Sequence, residues 1–435
     1  MRVRAALQNK IAKSLFSIDR RNAKRRKAER VRRRQNLPHT VHYFHQAGDP
    51  YSHLMAQVLP QFQARYEIDL DVHITAPPPD WAAPDRARLD AYSRIDAARL
   101  ARQAGWRFVD PGHQPDATRL AEANAALIAA TESGDFLAQA QTIGDALWSG
   151  DMLPERTLSL QEIEQVLAKA AAARSRLGHY LGATLYYAGE WYWGPDRLHY
   201  LEERLRALGA TKPGAPVEVV YPPPVVPSTP APVTASVGLE LHWYLSFRSP
   251  YTGIVAERVK ALADAYHADL KLRFVLPMVM RGMQVPRMKG FYIMSDVVRE
   301  AERLGVPFGN AVDPIGAPVE RGYAILSEAI KRGRGYAFAQ SFLSGVWRQG
   351  LDAGSDKGLK TITERAGLDW PEMRALIGGD HWRAEAEANR QEMFEFGVWG
   401  VPSFRIGDVT AWGQDRLWVI EAALKKTMTE EEHRA

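Results

Sequence analysis

Three stretches in the C-terminal half of the sequence hold residues that could do chemistry: Ser249-Pro250-Tyr251, Gly400-Val401-Pro402-Ser403 and Trp412-Gly413-Gln414-Asp415-Arg416-Leu417. Ser249 stands where a strand pattern gives way to a helical one, directly before a proline suited to the first helical turn. A serine there is a good N-cap, worth ~1 kcal/mol, and taken alone the position asks for nothing more. It has a second capacity. A helix N-terminus favours an anion, and a hydroxyl donor adds a charge-assisted hydrogen bond. An anion brought to this point would be stabilised. Val401-Pro402 enters a strand after a helix, although proline cannot donate to a ladder. Alone, it reads equally well as an edge-strand proline.

If sulfur chemistry happens here, a ligand must bring the thiol, because the 435 residues include no cysteine. Structural disulfides, Cys-ligated metals and nucleophilic thiolates of the protein are excluded, and so is disulfide exchange by the protein alone. His42 and His45 fall on opposite faces of a strand. With His53 they read as structural or surface histidines, and no metal site is assigned. The sequence holds no P-loop, dinucleotide fingerprint or zinc motif.

The elements that must position these residues follow from hydrophobic periodicity. Leu241–Leu245 reads as a strand, Tyr251–Tyr266 as a helix and Leu270–Leu276 as a second strand, a βαβ unit with a right-handed crossover. A helical stretch covers about 286–396. Ser403–Ile406 and Val409–Trp412, joined by Gly407-Asp408, read as a hairpin, and a last helix starts near Gln414.

The same pattern occurs earlier in the chain. Val41-His42-Tyr43-Phe44 matches Leu241-His242-Trp243-Tyr244, and Asp49-Pro50-Tyr51-Ser52 matches Ser249-Pro250-Tyr251-Thr252, both at an offset of 200. Trp193-Gly194-Pro195-Asp196-Arg197-Leu198 matches Trp412–Leu417 at 219, so the second copy carries about 20 extra residues after Trp347. The expected fold is α/β: two tandem thioredoxin-like domains (βαβ–ββα), each with an inserted helical subdomain. The expected boundaries are a basic tail 1–36, a first domain 37–210, a Pro-rich linker 211–237 and a second domain 238–428. The tail holds 14 Lys/Arg against Asp19 and Glu29, so it is +12 and the remainder −7, for a total of +5. Such a tail could contact an anionic surface or nucleic acid, or simply be a solvated helix. Ala6, Leu7, Ile11, Leu15, Phe16 and Ile18 could form a short apolar stripe on it. No apolar run approaches the ~18 residues of a membrane span, and no signal peptide pattern is present, which points to a cytoplasmic protein.

Ser-Phe-Arg-Ser-Pro-Tyr, Pro286-Arg287-Met288-Lys289-Gly290-Phe291-Tyr292, Leu304-Gly305-Val306-Pro307, Gly-Val-Pro-Ser and Trp-Gly-Gln-Asp-Arg-Leu occur in order over nearly all of the second copy. This copy resembles the DsbA-family thioredoxin-like proteins of the glutathione S-transferase kappa and 2-hydroxychromene-2-carboxylate isomerase branch. The resemblance implies a cis Val401-Pro402 facing Ser249, with glutathione as cofactor. Ser249 would stabilise its thiolate, Val401 would pair with the cysteinyl part, and Lys289 would hold a carboxylate. Asp415, with Gln414 beside it at the start of the last helix, would receive the γ-glutamyl amino group. The Arg281-Gly282-Met283-Gln284 region lacks the asparagine this branch carries near its cofactor. The first copy departs further, with Asp49 at the serine position and Gly182-Ala183 at the Val-Pro position. It reads as a degenerate copy, an internal counterpart of a dimer partner; acid–base chemistry at Asp49 is the other reading.

The expected function is a glutathione-dependent isomerase or transferase acting on a small apolar or aromatic electrophile, with Phe291, Tyr292, Trp347 and Trp399 as candidate pocket walls. The alternative is a non-catalytic module binding a peptide or partner. Self-association belongs among the partner expectations.

Overall fold

The computed structural model describes residues 14, 16–155, 158–224 and 238–432, without the side chains of 429–432. Most of the predicted apolar stripe of the tail lies outside them; Ile18 is exposed. The described residues fall into two compact units. The first is Asn22–Pro223 with Pro286–Tyr292; the second is Pro224–Val285 with Ile293–Ala435 and the residues before Asn22. No helix among the described residues is long and apolar enough to cross a membrane.

In the first unit, most of helix α1 (Ile18–Arg34) precedes strand β1 (Thr40–His45), helix α2 (Pro50–Arg65) and strand β2 (Asp69–Ile74). Helices α3 (Arg86–Ala104), α4 (Ala117–Glu132), α5 (Phe136–Ser149) and α6 (Leu160–Leu177) form the insertion. Strands β3 (Thr184–Tyr187) and β4 (Glu190–Trp193) and helix α7 (Leu198–Ala207) complete the unit. β1 pairs in parallel with β2 and antiparallel with β3, giving the order β2-β1-β3-β4. α1 buries no residue, as its arginine-rich sequence requires, but it is tied down: Arg25 makes a two-pronged ion pair with Glu190 at 2.6 and 2.7 Å.

The second unit repeats the plan. Strand β5 (Glu240–Leu245), helix α8 (Pro250–Ala265) and strand β6 (Asp269–Phe274) lie 200 residues after their counterparts. The insertion contains helices α9 (Arg287–Arg303), α10 (Ala317–Lys331), α11 (Gly335–Arg348), α12 (Asp356–Arg365), α13 (Trp370–Ala375) and α14 (Arg383–Glu395). Strands β7 (Ser403–Ile406) and β8 (Val409–Trp412) and helix α15 (Leu417–Glu432) close it, and the sheet order is β6-β5-β7-β8. α12 and α13 account for the extra residues, since the first unit has α6 alone between α5 and β3. β5 is buried at five of its six positions, as befits a central strand covered on both faces. Trp243, Phe247, Tyr323, Phe338 and Phe342 are among the aromatic residues of its core.

The boundaries differ from the expected ones at two points. Pro286–Tyr292, the approach to α9 and its first turns, belongs to the first unit. There Tyr292 packs with Phe44 and Trp191 and meets the His179 ring edge-on at 4.4 Å. Residues 211–221 are also less of a linker than proline content suggests. Thr211 bridges to Tyr66, and Tyr221 is buried against Trp106, its hydroxyl donating to Gln103 at 2.9 Å. Residues 225–237 lie outside the described part.

Candidate active site

Ser249 is the N-cap of α8. Its Oγ accepts the Thr252 N–H at 3.2 Å and donates to the Val401 carbonyl at 3.3 Å. The Val401–Pro402 peptide is cis. Two residues 152 positions apart thus meet at the helix terminus, where Ser249 is half-buried. The loop carrying Val401 is held by close packing. A Cβ on Gly400 would lie 2.4 Å from the Trp412 ring, so a glycine is needed there. Trp399 and Trp412 meet edge to face at 5.1 Å, and the Gly413 N–H donates to Pro402 O at 2.9 Å.

Asp415 lines a small pocket with Arg258, Arg303, Leu304, Gln414 and Trp418. Gln414 is buried, and both ends of its amide are occupied: Arg258 donates to its oxygen, and its nitrogen donates to Glu300 at 2.5 Å. Glu300, fully buried, also pairs with Arg303 at 3.1 Å. Burial pushes the Arg258 guanidinium down, and Glu300 pulls it back up. Gln414 is therefore tied into the base of this pocket by both ends of its amide. Lys289 lies in the first unit, where its amino group donates to Ala82 O at 3.5 Å and burial pushes its pKa down. Phe291 and Tyr292 also go with the first unit. Trp347 is core, with its indole donating to Phe247 O at 3.0 Å and its ring against Gly253.

The first unit builds the same turn with other chemistry. Asp49 caps α2 and accepts from the N–H groups of Tyr51 and Ser52, both at 3.2 Å, and from the Ser52 hydroxyl at 2.8 Å. Burial raises its carboxyl to about 6 despite those hydrogen bonds. Ala183, at the place of Pro402, has φ +51°, and its N–H donates to Ser52 Oγ at 3.0 Å. Proline has no such N–H, and in the second unit Thr252 Oγ1, at the place of Ser52, is buried without a partner. One device recurs unchanged: Tyr51 donates to Asp96 and Tyr251 to Asp296, each at 2.8 Å.

Sequence reading missed Ser52 and Thr252, the Arg258–Glu300 pair and the buried Arg174 and His179. Arg174 and His179 could have been noticed, because the offset of 219 places them opposite Met393 and Val398. Arg174 gives one bond, to Ala76 O at 3.1 Å.

Residues 240–425 match the family profile of the DSBA-like thioredoxin domain, and the second unit contains such a domain. Among curated proteins, the 2-hydroxychromene-2-carboxylate isomerase of Pseudomonas putida is 21% identical over 190 residues, 42% of this chain and 92% of that protein. The Sphingobium xenophagum protein of the same name is 26% identical over 144 residues, 32% of this chain and 69% of that one. A solved 2-hydroxychromene-2-carboxylate isomerase matches with a TM-score of 0.39 and 20% identity, covering 45% of this chain and 98% of its own.

Proposed function

We propose that the second unit is a glutathione-dependent isomerase or transferase for a small apolar or aromatic substrate. The contact between Ser249 Oγ and the carbonyl before Pro402 carries this reading. The residues fit the thiol end of the cofactor. The N-cap is a neutral hydroxyl that leaves the positive end of α8 uncompensated, and its proton rests on a carbonyl that releases it by rotation. When bound, glutathione supplies a thiol nucleophile. Ser249 turns its proton toward that sulfur while the N-terminal N–H groups of α8 favour the anionic form. Val401 offers its backbone to the cysteinyl part in strand fashion. Asp415, with Arg258 and Arg303 around it, takes the γ-glutamyl end. The isomerase half of the proposal is supported by the relatives named 2-hydroxychromene-2-carboxylate isomerase.

Titration calorimetry with glutathione, followed by turnover of 2-hydroxychromene-2-carboxylate with and without it, tests the proposal. Binding and thiol-dependent turnover support it. Absence of glutathione binding rejects it, and binding unchanged in Asp415→Ala rejects the placement of the γ-glutamyl end.

A further inference from the structure

The first unit carries a cluster that the thiol chemistry does not use. On β1 and β2, His42 stands opposite Asp71 in the parallel register, and His73 is two residues further along the same face. His42 Nδ1 lies 2.8 Å from Asp71 Oδ2, His73 Nε2 lies 3.1 Å from the same oxygen, and the two nitrogens are 3.2 Å apart. The three side chains are 31%, 44% and 26% exposed, so the cluster is open to solvent.

A neutral imidazole nitrogen either donates or accepts. If both nitrogens donate to Asp71, two N–H groups crowd onto one carboxylate oxygen with their nitrogens 3.2 Å apart. If only one carries a proton, the other turns its lone pair on the carboxylate. A cation in contact with all three atoms makes every edge favourable. The separations suit such an ion: a tetrahedral zinc site with bonds of ~2.0–2.1 Å has donors ~3.3 Å apart. Two imidazoles and one carboxylate match the preferences of zinc and its neighbours, and three protein ligands leave one position for water.

The second unit supplies an internal control. Its residues at the same positions are His242, Lys271 and Arg273. There the histidine meets two side-chain cations: Arg273 Nε lies 3.0 Å from Nδ1 and Arg405 Nη2 lies 2.9 Å from Nε2. Tyr186 takes the place of Arg405 in the first unit, so the positive charge is missing there.

We infer that His42, Asp71 and His73 form a binding site for a divalent transition-metal ion of the zinc type. The test uses the full-length protein, stripped with a chelator and titrated with Zn2+ against a chromophoric competitor, then with Co2+ to read its absorption bands. One equivalent should bind. His42→Ala, His73→Ala and Asp71→Asn should each weaken binding at least about tenfold. His45→Ala, on the opposite face of β1, should not. Circular dichroism of each variant guards against misfolding, and the near-isosteric Asp71→Asn decides the matter if a histidine variant fails to fold. The inference is overturned if no zinc binds at about 10 μM free ion (a binding free energy of roughly −7 kcal/mol), or if Asp71→Asn and the folded histidine variants bind like wild type.

Discussion

The turn before α2 and the turn before α8 have the same backbone plan and opposite electrostatic sense. Asp49 fills the N-terminus of α2 with its own charge and spends three hydrogen bonds on it. Ser249 caps α8 with a neutral group and rests its proton on Val401. The loop opposite follows suit. Where the second unit has Pro402, the first has Ala183, whose extra N–H is absorbed by Ser52. The same turn is therefore closed by a carboxylate in one unit and by a neutral hydroxyl in the other.

The largest effect is expected from importing the first unit's choice into the second. Ser249→Asp places a carboxylate where the thiolate is proposed to lie, and glutathione-dependent turnover should fall by about 100-fold or more. Retained turnover would show that the two turns are functionally interchangeable. Ser249→Ala removes one charge-assisted donor without adding repulsion. A loss of roughly 10- to 100-fold is expected, the worth of a hydrogen bond to a charged group, with α8 still folded.

The second contrast concerns stability. Ser52→Ala strands the N–H groups of Ala183 and Gln46, both of which donate to the serine hydroxyl. Urea unfolding should show a loss of about 2 kcal/mol. Thr252→Val removes a hydroxyl that has no partner and should change stability by less than about 1 kcal/mol. Equal losses would mean that the two hydroxyls do the same job.

The last effect is a pH dependence. The Asp49 carboxyl is raised from 3.8 to about 6, chiefly by burial. The folded state thus holds this proton more tightly than the unfolded one. The contribution to stability is complete below pH 3.8 and is lost as pH rises through about 6. Asp49→Asn should abolish that decline. A variant that still loses the same stability between pH 4 and 6, measured by denaturant titration, would place the titrating group elsewhere.

Much of this was legible in the sequence, for identifiable reasons. The β-α-β segments repeat at a constant offset because the central strand and its helix tolerate no insertion. The meeting of Ser249 with Val401 follows from that fold. The fate of longer-range side chains was not legible. Lys289 sits in a run that matches its family motif, yet Tyr292, three residues on, packs beside Phe44 and takes the segment into the first unit. The network that ties Gln414 to Arg258 and Glu300, both distant in sequence, could not be read from its motif. The histidines were weighed by spacing along β1, where His42 and His45 face apart. Their real grouping required the parallel register that sets His42 opposite Asp71.

The central claim is that the N-terminus of α8 is kept free for a thiolate and that of α2 is not. Calorimetric titration of glutathione into wild type and Ser249→Asp at pH 7 tests it most directly. The expected result is one bound equivalent per chain in wild type and none in the variant. Two equivalents in wild type, none, or binding that survives Ser249→Asp unchanged would contradict it.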